Sequence, residues 1–163
     1  MLTDEIDRAR ELYRKALLLE KRNPVALFKY GCFKEYTNEP NSASKYYKMT
    51  LSSFPDYSMC HVVFADLLTN IHGQHDKAEY HYKEALRVDP TNPCGLNNYA
   101  VFLVTVKRNI EEAHKFFVSA TRVASPNPVH IQNYAIFLSK VWKDEAKARK
   151  FNNLSKELRQ SRQ

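Results

Sequence analysis

Glycine is nearly absent: the chain has three in 163 residues, where a domain of that length carries roughly eleven. Isolated at Gly31, Gly73 and Gly95, they cannot build a phosphate-cradling loop, a dinucleotide fingerprint or the tight hairpins of an all-β sandwich. Cysteine is sparse and odd in number. Cys32, Cys60 and Cys94 share no Cys-x-x-Cys spacing, so a disulfide framework is not indicated and a reducing compartment, cytoplasm or nucleus, is expected. Long apolar runs are also missing. The longest early one, Ala16 to Leu19, is bounded by Arg14, Lys15 and Glu20, far short of the ~20 residues of a membrane span. No secretory leader is visible, and the chain reads as soluble.

What is present is aromatic and basic. Ten tyrosines, nine phenylalanines and one tryptophan accompany a net charge of +7. The charge is uneven: residues 140–163 hold Lys140, Lys143, Lys147, Arg149, Lys150, Lys156, Arg159 and Arg162 against Asp144, Glu145 and Glu157. A basic end of this kind suits RNA, an anionic surface or an acidic tail, and it equally describes a solvated helix face.

The aromatics recur on a fixed period. Ala9-x3-Tyr13-x2-Ala16, Ala43-x3-Tyr47-x2-Thr50, Ala78-x3-Tyr82-x2-Ala85 and Ala113-x3-Phe117-x2-Ala120 have leading alanines 34, 35 and 35 apart, and Ala146 follows 33 later. A second series interleaves: Leu27-x2-Tyr30-Gly31, His61-x2-Phe64-Ala65, Leu96-x2-Tyr99-Ala100 and Ile131-x2-Tyr134-Ala135, with aromatics again 34, 35 and 35 apart. Within each series the apolar spacing is that of a helix stripe, so each period contains two helices. Asn23-Pro24, Asn92-Pro93 and Asn127-Pro128 read as N-cap and first-turn pairs. Pro55, Pro90 and Pro126 stop the preceding helices. The expected elements are a leading helix over 4–20, then pairs at 24–37 and 41–53, 58–71 and 75–88, 93–106 and 110–123, and 128–141 and 144–160. This divides one all-α domain, 1–163, into an orphan second helix (4–20) and units at 24–53, 58–88, 93–123 and 128–160, the last a repeat or a capping pair. Because one hairpin cannot bury both faces, the units must stack into a solenoid.

These motifs resemble the tetratricopeptide repeat. The helix B pattern Ala-x3-Tyr-x2-Ala-x4-Pro stands intact at Ala78, Tyr82, Ala85 and Pro90, and the likeness covers residues 4 to 160. Departures lie in helix A, where the bulky first position is Leu27, His61, Leu96 or Ile131. The extra residue of the longer periods is expected in the turn. Its aromatic helix A and the Ala9–Leu17 segment are also similar to the half-a-tetratricopeptide variant of RNA-processing scaffolds, although that variant's late acidic residue is replaced by Lys34, Leu68, Leu103 and Leu138.

The resemblance implies a right-handed superhelix of about four and a half repeats, not an enzyme, with a concave groove lined by the first helix of each pair. The groove positions carry over as Val25, Phe28, Lys29, Cys32, Glu35 and Tyr36; Met59, Val62, Val63, Asp66, Thr69 and Asn70; Cys94, Asn97, Asn98, Val101, Val104 and Thr105; Val129, Gln132, Asn133, Ile136, Ser139 and Lys140. Of these we single out Phe28, Lys29, Tyr36, Val63, Asn97, Asn98, Val101, Gln132, Asn133, Ile136 and Lys140 as partner-binding. Asn98 and Asn133 would form two rungs of an amide ladder on a peptide backbone. The clamp that reads chaperone tails would need a Lys, Asn, Asn, Lys, Arg set where this chain has Phe28, Cys32, Val63, Cys94 and Asn98, or Val62, Asp66, Asn98, Val129 and Asn133; one match in five, with Asp66 of the wrong sign, argues against it. A second reading is an RNA-binding module using Lys143, Lys147, Arg149, Lys150, Lys156 and Arg159, a third a structural member of a cytoskeletal or ciliary assembly. The orphan helix 4–20 would leave an open face for end-to-end association. No cofactor is indicated. His72, His75 and His81 with Asp76 lie near one helix start without cysteines at ligand spacing, so surface histidines are expected rather than a metal site. Phe28, Tyr36, Tyr46, Tyr57 and Trp142 fall off the period and are the candidates for exposed aromatics.

Overall fold

A computed structural model describes residues 2–123 and 127–161; Pro126 and Arg162 lie outside them. The described residues form helices α1 (Leu2–Leu19), α2 (Pro24–Tyr36), α3 (Pro40–Ser53), α4 (Ser58–Asn70), α5 (His75–Val88), α6 (Pro93–Phe102), α7 (Ile110–Thr121), α8 (Pro128–Phe137) and α9 (Glu145–Gln160). They pair as α2 with α3, α4 with α5, α6 with α7 and α8 with α9. Start signals act as the sequence implies. Asn23 Oδ1 accepts from the Ala26 N–H at 2.9 Å and Asn92 Oδ1 from Gly95 N–H at 2.9 Å, each with proline in the first turn. Asn127 caps Val129 in the same way at 2.8 Å.

Rings hold the pairs together. Each first-helix aromatic lies against the second helix of its own pair: Tyr30 on Tyr46 (4.6 Å between centroids), Phe64 on His81 (4.7 Å), Tyr99 on Phe116 (4.9 Å) and Tyr134 on Phe151 (4.8 Å). Its other side meets the second helix of the pair before: Tyr13 with Tyr30 (5.3 Å), Tyr47 with Phe64 (5.9 Å), Tyr82 with Tyr99 (5.6 Å) and Phe117 with Tyr134 (5.7 Å). Offset and tilted ring pairs at such distances add about 0.5–1.5 kcal/mol each to the burial of their area. Small residues permit the approach, with Ala43, Ala65, Ala78, Ala100, Ala113 and Ala135 completely buried. First helices of successive pairs touch, α4 with α6 and α6 with α8, whereas the second helices do not pack on one another in that way. The stack therefore curves, concave on the side of α4, α6 and α8.

Three expectations need correction. Helices α6 and α8 end early as α-helix, at Phe102 and Phe137, because their last turns widen into π-helix at Leu103–Lys107 and Leu138–Trp142. In these two units the extra residue is housed there and not in the turn, whereas in the α4–α5 unit, where α4 stays α-helical to Asn70, it lies in the turn as expected. Leu103 and Leu138 carbonyls accept from the N–H groups of Asn109 and Asp144, six residues on, as Leu68 does from Gln74. In the shorter unit Lys34 accepts from Glu39, only five on. Every one of these turns then closes through a left-handed residue: Asn38, Gly73, Arg108 and Lys143. The final alanine of the period is Ala148, buried, rather than the exposed Ala146, so the spacing from Ala113 remains 35. Finally, Phe28, Tyr46 and Tyr57 are half-buried packing residues, Phe28 lying 5.0 Å from Tyr57, while Tyr36 is exposed.

On α1 the corresponding face is uncovered: Ala16 is exposed and Leu12, in the slot of Tyr46 and His81, is 58% exposed.

Gly31 marks the tightest approach. A methyl there would meet Tyr47 ring carbons at 2.6 and 2.8 Å, although alanine fills the same slot in the other three units. Gly31→Ala is expected to cost about 1–3 kcal/mol through overpacking, read as a lower urea midpoint; an unchanged midpoint would show that Tyr47 is free to retreat.

Candidate functional site: the concave groove

The concave side carries a chain of polar contacts that crosses three units. Asp66 on α4 receives the Tyr82 hydroxyl on Oδ1 at 2.5 Å and the Asn98 amide on Oδ2 at 2.8 Å. Asn98 Oδ1 accepts from Asn97 Nδ2 at 2.8 Å, and Asn97 Oδ1 accepts from Asn133 Nδ2 at 3.1 Å. Burial raises the Asp66 carboxyl above its ordinary range, while the hydrogen bonds from Tyr82 and Asn98 work in the opposite direction. Burial and the neighbouring carboxylate likewise raise the Tyr82 phenol, which therefore stays a donor. Around this chain lies a cleft of about 280 Å³ lined by Asp66, Thr69, Asn70, Asn97, Asn98 and Asn133, with Tyr82 and Phe102 beneath.

Beside it the surface turns apolar. A notch of about 210 Å³ is formed by Val101, Val104, Phe117, Ile136, Phe137 and Val141. Val101, Thr105 and Asn133 line both spaces, so the cleft and notch are two compartments of one groove. The change of chemistry follows two repeating slots: on the first helices Asp66 gives way to Val101 and Ile136, and on the second helices a ring hydroxyl is lost. Tyr82 presents a hydroxyl to Asp66, and Tyr47 presents one to Glu35 at 2.8 Å; one unit further on, the same slot holds Phe117, which has nothing to donate.

Of the residues singled out from sequence, Asn97, Asn98, Val101, Asn133 and Ile136 converge here. Phe28, Lys29, Tyr36, Val63 and Lys140 line neither compartment, and the Gln132 amide is turned to Asn152 of α9 at 2.7 Å. The ladder expectation changes accordingly: Asn97 is buried, and Asn98 and Asn133 already use part of their amide capacity on the protein. Sequence reasoning overlooked Tyr82 and Phe117, because the register places only first-helix residues in the groove. Their signal was the change from tyrosine, at Tyr13, Tyr47 and Tyr82, to phenylalanine at Phe117 in one slot.

The basic residues Lys143, Lys147, Arg149, Lys150, Lys156 and Arg159 are all exposed; Lys143 precedes α9, and the five on α9 are spread around it at helical spacing instead of lining one stripe. Lys147 is paired with Asp144 at 3.0 Å. The histidines disperse: His72 meets Ser44 at 2.9 Å, His75 faces Phe102 and His81 bonds to His61 at 2.8 Å. Among the described residues no three His, Cys, Asp or Glu side chains gather as a metal site, and no helix is long and apolar enough to cross a membrane.

Known structures share this architecture. PilF of Pseudomonas aeruginosa superposes with a TM-score of 0.81 at 18% identity, over 96% of this chain and 70% of PilF. MamA of Desulfovibrio magneticus RS-1 gives 0.73 at 15%, over 96% and 86%. PilW, a type IV pilus biogenesis factor, gives 0.71 at 19%, over 81% and 60%. The fold is that of a tetratricopeptide solenoid. No family model matches the chain, and no curated protein matches it by sequence.

His61 and His81 give this solenoid a pH response. The Pro55 carbonyl, 2.8 Å from His61 Nε2, can only accept, so His61 Nδ1 accepts in turn from His81 Nδ1–H. Burial, then the His61 charge, holds His81 down to about 4, and burial lowers His61. The folded chain thus binds fewer protons than the unfolded chain. Stability is expected to be complete above about pH 6.5 and to decline as the pH falls toward 4. His81→Phe, which installs the ring type of the other units, should flatten the fall in urea midpoint, leaving the part due to His61, His114 and His130; an unaltered slope would contradict the assignment.

Proposed function

We propose that the chain is a non-enzymatic scaffold that holds an extended peptide or a helix of a partner protein in the groove of α4, α6 and α8. The observation that carries this reading is the joining of a polar cleft to an apolar notch across three units. Fixed amides offer backbone partners on one side, and an uncharged pocket takes a side chain on the other, the combination by which peptide grooves obtain both affinity and register. Chaperone-tail recognition does not fit, because Asp66 would face the tail's carboxylates. RNA recognition would draw on α9, where the charges are dispersed. The three free cysteines support placing the scaffold in a reducing compartment, the cytoplasm or nucleus.

Ile136 offers a clean test, being 50% exposed at the edge of the notch. Ile136→Glu should leave the melting temperature unchanged and abolish capture of protein partners in a pull-down read by mass spectrometry. Charge reversal at the exposed Arg149 and Lys150 should leave capture intact. Capture that survives Ile136→Glu, or that is lost only on reversal in α9, would overturn the groove. Asn98→Ala is a poorer probe, since it strips Asp66 of a donor and is expected to lower stability as well.

A further inference from the structure

Two carboxylates on the concave side have no cationic partner. Glu35 and Asp66 take part in no ion pair among the described residues, although Glu39, Glu79, Asp56 and Asp144 do. They are near enough for the Glu35 charge to oppose ionisation of Asp66. No lysine, arginine or histidine lines the cleft. The chain as a whole is basic, at +7, so this acidity is local. A half-buried carboxylate without a countercharge carries an uncompensated desolvation cost, which an arriving cation reduces. Asp66 also has capacity: a carboxylate accepts at about four lone-pair sites, and Tyr82 and Asn98 occupy two while fixing its orientation.

Resting on the groove reading above, we propose that the solenoid selects a protein segment bearing a lysine or arginine three or four residues from a bulky apolar side chain. The cation is seated on Asp66 and the apolar side chain in the notch beside Ile136. The spacing follows from geometry. Asp66 stands on α4 and the notch on α6 and α8, neighbouring helix axes lie about 8–10 Å apart, and an extended chain advances about 3.3 Å per residue.

The probes are fluorescein-labelled Gly/Ser/Ala peptides containing one phenylalanine with lysine, or glutamate, three or four residues away, titrated into the full chain by fluorescence polarisation. The lysine peptide should bind about tenfold more tightly than the glutamate peptide, the scale of one favourable charge contact set against one unfavourable, and the ratio should shrink with added salt. Asp66→Asn, folded by circular dichroism, should bring the ratio close to one while phenylalanine-dependent binding persists; Ile136→Glu should remove binding of both peptides. Equal binding of the two peptides, or a ratio that survives in Asp66→Asn or in high salt, would overturn the charge assignment and leave the groove reading standing. Binding of neither peptide would also overturn the proposal, and the partner-capture test of Ile136→Glu would then judge the groove by itself.

Discussion

A repeating set of ring contacts, in which Tyr13, Tyr47, Tyr82 and Phe117 meet Tyr30, Phe64, Tyr99 and Tyr134 of the next first helix and these meet Tyr46, His81, Phe116 and Phe151 of their own pair, is the interaction on which the rest of the molecule depends. Each first-helix ring is gripped twice, by the second helix before it and by the second helix after it. No hairpin could bury its rings alone, so the units are stable only as a stack. The scarcity of glycine belongs to the same design, because helices that approach over alanine need few of them. Gly31 is the place where packing demands one, because it yields to the Tyr47 ring, while Gly73 takes the left-handed turn position that Asn38, Arg108 and Lys143 fill in the other units.

This ladder of contacts also helps decide what the concave side offers. Its second-helix rungs pass beneath the groove, so their polar tips become part of it. Tyr47 and Tyr82 each donate to a first-helix carboxylate, and Phe117 donates to none. Two repeating slots therefore separate the cleft from the apolar notch: the ring hydroxyl is lost at Phe117, and the carboxylate of Asp66 is replaced by Val101 and Ile136. The Asp66, Asn98, Asn97 and Asn133 contacts span α4, α6 and α8, which makes groove chemistry contingent on the register of three units at once.

Much of this was legible in the sequence. Two interleaved series at 34 to 35 residues, with Asn-Pro starts, located the helices to within a few residues, since caps, proline and stripe spacing are local signals. The π-helical ends of α6 and α8 were not legible as such. The extra residue is visible in the spacing, but whether it widens a helix, as after Phe102 and Phe137, or lengthens a turn, as after Asn70, depends on tertiary fit. Near the end of the period the sequence has two alanines, Ala146 and Ala148, and only burial picks out Ala148, 35 residues from Ala113. The groove was half legible: family register gave Asn98, Asn133 and Ile136, while the contributions of Tyr82 and Phe117 required knowing that a rung reaches through to the far side.

The central claim, that the ladder couples the units and so holds the groove together, is tested most directly by native-state hydrogen exchange on Tyr99→Leu. Tyr99 touches Tyr82, Phe102 and Phe116, so its loss should lower the protection of α4, α6 and α8 together. Loss of protection confined to α6 and α7, with α4 and α8 as protected as in the unaltered chain, would contradict the account.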